Sequence, residues 1–239
     1  MIAIRKIITT FMAVNDLEHS INIDSLIKKL NIHTKCNLIF IVVSYIFIAF
    51  FLENWILTDE VFYRSLSTQI PLYTVDGILE SREKFWWVPY LIQIVVILIK
   101  VLFVSLCIFI GVVLSDIRIP FKNIFRVAVI AEIIFVIGQS IYLFNLYTHR
   151  AELTFETTAN YFPLSMLSFF GVENVVSWLH YPLQTLNLFE VVYVVLISWL
   201  LSRQWKPDFI ESLNIVIPSY GIGLLVWMIL VVFLTLQIS

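Results

Sequence analysis

A lysine and two glutamates lie inside long apolar runs of this 239-residue chain. Lys100 interrupts one run, Glu132 a second and Glu190 a third. Charged side chains are costly in the interior of a bilayer, so they pair with one another, face a polar cavity or take part in ion and proton transfer. Two interpretations stay open for these residues: a structural ion pair that serves helix packing, or a polar path for a proton or an ion.

We predict that Lys100, Glu132, Glu190 and Gln139 form an intramembrane polar cluster. Lys100 is expected to pair with Glu132, because a short bend joins their two runs, and Glu190 is the alternative partner. The Gln139 amide is a candidate hydrogen-bond partner for a glutamate that is left over. At about 1.5 Å per helical residue, the three charges lie about 22, 16 and 18 Å from the cytoplasmic ends of their runs.

The composition identifies the elements that must hold this cluster. Hydrophobic residues make up 60% of the chain, charged residues make up 13%, and the mean hydropathy is +0.94. That is too apolar for a soluble domain, and a spanning helix needs about 20 mainly apolar residues. We therefore predict an all-α, polytopic membrane protein whose bundle of five transmembrane helices occupies, approximately, residues 38–57, 85–115, 121–147, 183–201 and 213–236.

The segments outside the spans are more polar. Residues 1–35 are predicted to be a cytoplasmic segment with two amphipathic helices, ahead of a membrane domain at 36–239. Its basic residues suit an anionic membrane surface, and packing of the apolar face on the protein's own spans is the alternative. Residues 58–84 are predicted to be an exposed loop, with a short helix inside it as an open alternative, and residues 148–181 are predicted to contain interfacial half-helices.

Pro218, Gly221 and Gly223 lie near the start of the last span. A proline and two glycines at this spacing predict a kink or a point of close helix packing. Gly221 and Gly223 are not read as a nucleotide-binding turn, since the third glycine and the preceding strand of that motif are missing.

The positions of the basic residues predict the orientation. Ten lysines and arginines fall on the side of the N-terminus and four fall on the other side, outside the spans. Because cytoplasmic loops carry the excess of basic residues, we predict a cytoplasmic N-terminus and an external C-terminus, in a bacterial plasma membrane.

Motifs of several function classes do not occur in the sequence. The four histidines are scattered, and there is no H-E-x-x-H, nucleotide-binding P-loop or G-x-S-x-G. Cys36 and Cys107 have no metal-ligand spacing. We therefore expect no enzyme activity, no catalytic, cofactor-binding or metal-binding residues and no cofactor. Nucleic-acid binding is not expected either, because the basic residues flank the spans.

Parts of the last three spans resemble the Yip family of five-span membrane proteins, which are named for their interaction with Ypt and Rab GTPases. The resemblance rests on three stretches, namely residues 121–126 (FKNIFR), 188–193 (LFEVVY) and 219–221 (SYG). The Asp-Leu-Tyr-Gly-Pro-like motif of the eukaryotic members does not occur here. The resemblance is therefore to the bacterial relatives, and it implies a five-span fold without assigning functional residues.

Two functions follow from these patterns. The first is a non-enzymatic scaffold or partner subunit of a membrane assembly, which contacts the lipid bilayer and either another protein or a second copy of this chain. The alternative is a transporter or permease component in which Lys100, Glu132 and Glu190 line a polar path and the last span contributes backbone groups near it.

Overall fold

The structure is a computed structural model that describes residues 34–67, 70–150, 153–154, 158, 162–205 and 207–238. Across these residues the fold is helical and contains no β-strand, so the all-α prediction is confirmed for them. Two amphipathic helices were predicted within residues 1–35, and residues 1–33 lie outside the described part of the chain.

The described residues form ten α-helices and a few shorter helical turns. The helices are α1 (Thr34–Phe51), α2 (Asp59–Leu66), α3 (Leu72–Lys84), α4 (Val88–Leu114), α5 (Phe121–Ala131), α6 (Ile133–Thr148), α7 (Met166–Phe170), α8 (His180–Thr185), α9 (Leu188–Gln204) and α10 (Phe209–Ile238). A π-helical turn, Leu52–Ile56, extends α1, and two 3₁₀ turns, Val172–Asn174 and Ser177–Leu179, separate α7 from α8.

Four helical stretches in the described residues are long and apolar enough to cross a membrane. They are Cys36–Ile56, Val88–Leu114, Phe121–Thr148 and Phe209–Gln237. Two of them have a proline at the start. Pro89 lies in the first turn of α4 and Pro120 is the N-cap of α5, so neither removes a hydrogen bond within its helix. These helices indicate an integral membrane protein.

The predicted fourth span differs most from the structure. Its expected start, residue 183, lies in the separate short helix α8, and α9 begins only at Leu188. Asn187 ends the connection because its side chain caps α9 by accepting a hydrogen bond from the Glu190 N–H at 2.9 Å. With 17 residues, α9 is shorter than the four stretches that meet the length for crossing a membrane.

Helix α9 packs against α5, α6 and α10, and α4 packs against α1, α5 and α10. Their facing sides form the main core, which includes Ile108, Ile124, Tyr193 and Ile197, all fully buried. The helices run alternately up and down. We call the end that carries α2, α3 and α7 the loop end, and the end that carries the bend at 115–120 and the start of α10 the turn end.

Small residues bring α4 and α10 close together. A Cβ added to Gly223 would lie 2.5 Å from Cys107 Sγ, and one added to Gly111 would lie 2.6 Å from Ser219 Cβ. Each helix thus contributes two small residues four positions apart, and they face one another in antiparallel order. Gly221, by contrast, is exposed and would meet nothing within 4 Å, while Pro218 lies inside α10.

The segment predicted as an exposed loop after the first span is largely helical, in α2 and α3. Arg82 of α3 donates to the backbone carbonyl of Glu53 at 2.6 Å and so ties α3 to the end of α1. Tyr63 of α2 donates a hydrogen bond to Asp76 at 2.5 Å. This hydrogen bond raises the pKa of the Tyr63 hydroxyl, because it holds the proton on the phenol.

Candidate functional site: a polar cluster and a cavity inside the bundle

Glu132 sits at the junction of α5 and α6. The helix tightens there, because the Glu132 carbonyl accepts hydrogen bonds from Phe135 at 3.0 Å and from Val136 at 3.3 Å. The side chain is completely buried. Glu132 follows the start of α5 by eleven residues, about 16 Å, which places it near the middle of the bundle.

Lys100 of α4 forms an ion pair with Glu132. Its Nζ lies 2.7 Å from Oε1 and donates a hydrogen bond to Oε2 at 3.2 Å. The ammonium also lies 3.3 Å from the centroid of the Phe135 ring, in a cation–π contact. The lysine side chain keeps 34% of its surface exposed, whereas the glutamate side chain keeps none. Glu132 therefore has no access to water and needs the Lys100 charge, whereas the Lys100 ammonium can also be hydrated.

Glu190 occupies the first turn of α9 and accepts a hydrogen bond from the Tyr220 hydroxyl of α10. Tyr220 follows the start of α10 by eleven residues, about 16 Å, so this contact also lies near mid-depth. Helix α9 consequently begins inside the bundle and not at its surface. Its positive N-terminal end complements the Glu190 carboxylate.

Three aromatic rings connect the two glutamates. The Tyr193 ring lies 4.8 Å from that of Phe135 and 5.8 Å from that of Tyr220, measured between centroids. Tyr193 is fully buried, and its hydroxyl has no hydrogen-bond partner among the described residues. Sequence reasoning missed Phe135, Tyr193 and Tyr220 as members of the site. The usable signal was a tyrosine, which has a polar tip, within an apolar run one turn after Glu190.

A cavity of about 780 Å³ adjoins this cluster. It extends from mid-depth, where Lys100 and Glu190 line it, toward Tyr181 and Trp227 nearer the loop end. We call it the central cavity. Its polar lining includes Gln139, Tyr142, Gln184, Asn187 and Tyr220, and most of its remaining wall is apolar. A volume of this size lies within the range of small-molecule sites, about 300–1,000 Å³.

The structure thus brings Lys100, Glu190 and Gln139 to one cavity and keeps Glu132 behind Lys100, outside the lining. Within the described residues, no hydrogen bond joins Gln139 to either glutamate. Nor does that part of the chain contain a group of three His, Cys, Asp or Glu residues that could hold a metal ion. The arrangement provides space for a small organic molecule and a carboxylate, Glu190, that can exchange a proton.

Comparison of the chain with protein-family models, with curated proteins and with solved structures gives no match, and the resemblance to the Yip family stays a prediction.

Proposed function

We infer that the protein is a transporter or a permease component, and that the central cavity is its substrate site. One observation supports this most strongly: two of the three charged side chains near mid-depth, Lys100 and Glu190, line a cavity. A charge that served packing alone would need no space beside it. Binding sites at the bilayer midplane, beside a helix that begins inside the membrane, are common in secondary transporters.

The size of the central cavity argues in the same direction. At about 780 Å³ it has room for a small organic molecule, and its convergent polar groups favour a ligand in water-accessible space.

The finer topology belongs to this proposal. We place five membrane crossings in the protein, with α9 as the main part of the fourth; because α9 begins inside the membrane, the short helix α8 ahead of it completes this crossing. Helix α7 lies ahead of α8 and contributes to the loop end. The excess of basic residues puts the turn end and the N-terminus in the cytoplasm and the loop end outside, in a plasma membrane. The scaffold role stays a prediction that depends on a partner.

Cysteine accessibility tests transport without knowledge of the substrate. Cys36 and Cys107 are replaced by alanine, and Gln139→Cys then places one thiol in the central cavity. Ile137→Cys is the matched control, since Ile137 lies on the same helix, is exposed, and does not line the cavity. In sealed vesicles of known orientation, a membrane-impermeant methanethiosulfonate reagent should label the Gln139→Cys variant from either side and leave the control unlabelled.

Labelling from the loop end alone would refute the transport proposal, because a carrier must expose its site to both faces in turn. It would leave the central cavity as a one-sided binding site. Absence of labelling from both faces would contradict the cavity's accessibility itself.

A further inference from the structure

We propose that the central cavity binds a lipophilic organic cation whose charge is neutralised by Glu190, in exchange for a proton on that carboxylate. The proposal names the ligand class of the site described above. Binding is independent of transport, and only the coupled movement of cation and proton across the membrane rests on the proposed function.

The charge balance of the cluster carries the argument. Lys100 is the only cation among the three charged residues, and its ammonium lies 2.7 Å from Glu132. These two charges neutralise one another, which leaves the Glu190 carboxylate without a full counter-charge. An uncompensated carboxylate is costly in a membrane interior, so it must take up either a proton or a cation.

The neighbours of Glu190 make it ready to ionise without neutralising it. Tyr220 donates a hydrogen bond to Oε1, and the N-terminus of α9 supplies the equivalent of about half a positive charge. The hydrogen bonds seen in the described residues engage only Oε1 of the carboxylate. Oε2 is left for a ligand.

The walls of the central cavity suit an organic cation better than an inorganic one. Phe103, Phe135, Phe162 and Trp227 line it, and aromatic faces attract ammonium groups while their area buries hydrocarbon. The contact of Lys100 with Phe135 shows that this wall already holds one ammonium. A hard cation such as Ca²⁺ takes six to eight oxygen ligands, carboxylates prominent among them, and Glu190 is the only carboxylate among the described lining residues.

An anionic ligand fits less well. Much of the Lys100 charge is already balanced by Glu132, and a second anion would lie close to Glu190. The titratable groups that act on Glu190 from the surrounding helices are Tyr220 of α10, Lys100 of α4 and Glu132 at the α5–α6 junction. Of these, only Lys100 carries positive charge, and it is already paired.

The exchange balances in protons and charge. When Glu190 is protonated, an entering cation takes the place of its proton, which leaves to solvent, so one positive charge replaces another and no covalent bond to carbon is made or broken. Lower pH should therefore weaken cation binding by competition at Glu190. Lys100 takes no part in the exchange, since its ammonium is paired with Glu132.

Equilibrium dialysis with radiolabelled benzyltrimethylammonium tests the proposal on the full chain in uncharged detergent micelles. The probe combines a fixed positive charge with an aromatic ring, and phenylacetate serves as the anionic counterpart. The wild type should bind the cation and not the anion, and its affinity should fall as the pH is lowered. Glu190→Gln should weaken cation binding by about tenfold or more and remove its pH dependence.

Glu211→Gln is the matched control, since it makes the same change in an exposed residue at the turn end. It should bind like the wild type. Tyr220→Phe checks the interpretation if Glu190→Gln is poorly folded: it keeps the carboxylate and should retain cation binding while shifting the pH at which protons compete.

Three results would overturn the proposal: no cation binding by the wild type, equal binding of the anion, or unchanged binding by a folded Glu190→Gln variant. Such a result, together with two-sided labelling of the Gln139→Cys variant, would remove the ligand class and leave transport intact. Cation binding together with one-sided labelling would refute transport and leave the ligand class intact.

Discussion

The ion pair between Lys100 and Glu132 predicts an asymmetric response to mutation. Lys100→Met leaves a carboxylate with no exposed surface and no counter-charge, and breaking a buried pair in this way costs about 3–5 kcal/mol of unfolding free energy. Glu132→Gln leaves a lysine whose side chain is 34% exposed and lines the central cavity, where it can be hydrated. We expect it to cost about 1.5–2 kcal/mol, at the low end of the range for a lost hydrogen bond to a charged group.

The double variant completes the cycle. Because it removes both charges together, its cost should fall short of the sum of the single costs by about 2 kcal/mol. The measurement is the free energy of unfolding of each variant, from titration of the detergent-solubilised protein with sodium dodecyl sulfate.

The exposed ion pair between Glu60 and Arg64 of α2 is the control, since its side chains keep 78% and 36% of their surface exposed. Its coupling should be about 0.5 kcal/mol or less. Additive costs at Lys100 and Glu132, or a larger cost for Glu132→Gln than for Lys100→Met, would refute the reasoning from burial.

Three further predictions concern other parts of the bundle. Gly111→Ala should destabilise the protein by about 1–3 kcal/mol, because its Cβ would lie 2.6 Å from Ser219 Cβ, and Ser219→Gly should restore most of the thermal stability; no rescue would mean that this contact is not the cause. Asn187→Ala should cost about 1 kcal/mol in the same unfolding assay through loss of the α9 cap, whereas Asn174→Ala, in the 3₁₀ turn after α7, should cost less. Asp76→Ala should lower the raised pKa of Tyr63, followed as the difference in phenolate absorbance between each protein and its Tyr63→Phe variant; an unchanged titration would exclude the hydrogen bond to Asp76 as the cause.

Hydropathy was sufficient for the four long helices, because each run of apolar residues exceeds the length that a bilayer requires. It also brought Lys100 toward Glu132, since the bend at 115–120 makes α4 and α5 antiparallel neighbours. The start of α9 was missed because Leu183 and Leu186 continue the helical spacing of apolar residues back from Phe189, across the cap at Asn187. The spacing Asn187-x-x-Glu190 resembles a capping box and was the available signal.

The central cavity had no counterpart in any local pattern. It lies between α4, α6 and α10 at the start of α9, which begins inside the bundle. A gap of this kind depends on how whole helices pack. Only one residue of the α4–α10 contact was predicted from the sequence. Gly223 was singled out, but its partner Cys107 and the reciprocal pair of Gly111 and Ser219 require knowledge of which helices are neighbours. Within residues 58–84 the sequence left room for one short helix, whereas the structure has two, because a polar composition is typical of loops.

Counterflow in proteoliposomes tests most directly whether the site at Glu190 carries a cation across the membrane. Vesicles loaded with unlabelled benzyltrimethylammonium are diluted into a trace of the labelled compound, and uptake of label is followed with time. The account predicts transient accumulation of label by the wild type and by Glu211→Gln, and none by Glu190→Gln. Uptake by the wild type no greater than in protein-free vesicles, or equal uptake by Glu190→Gln, would contradict it.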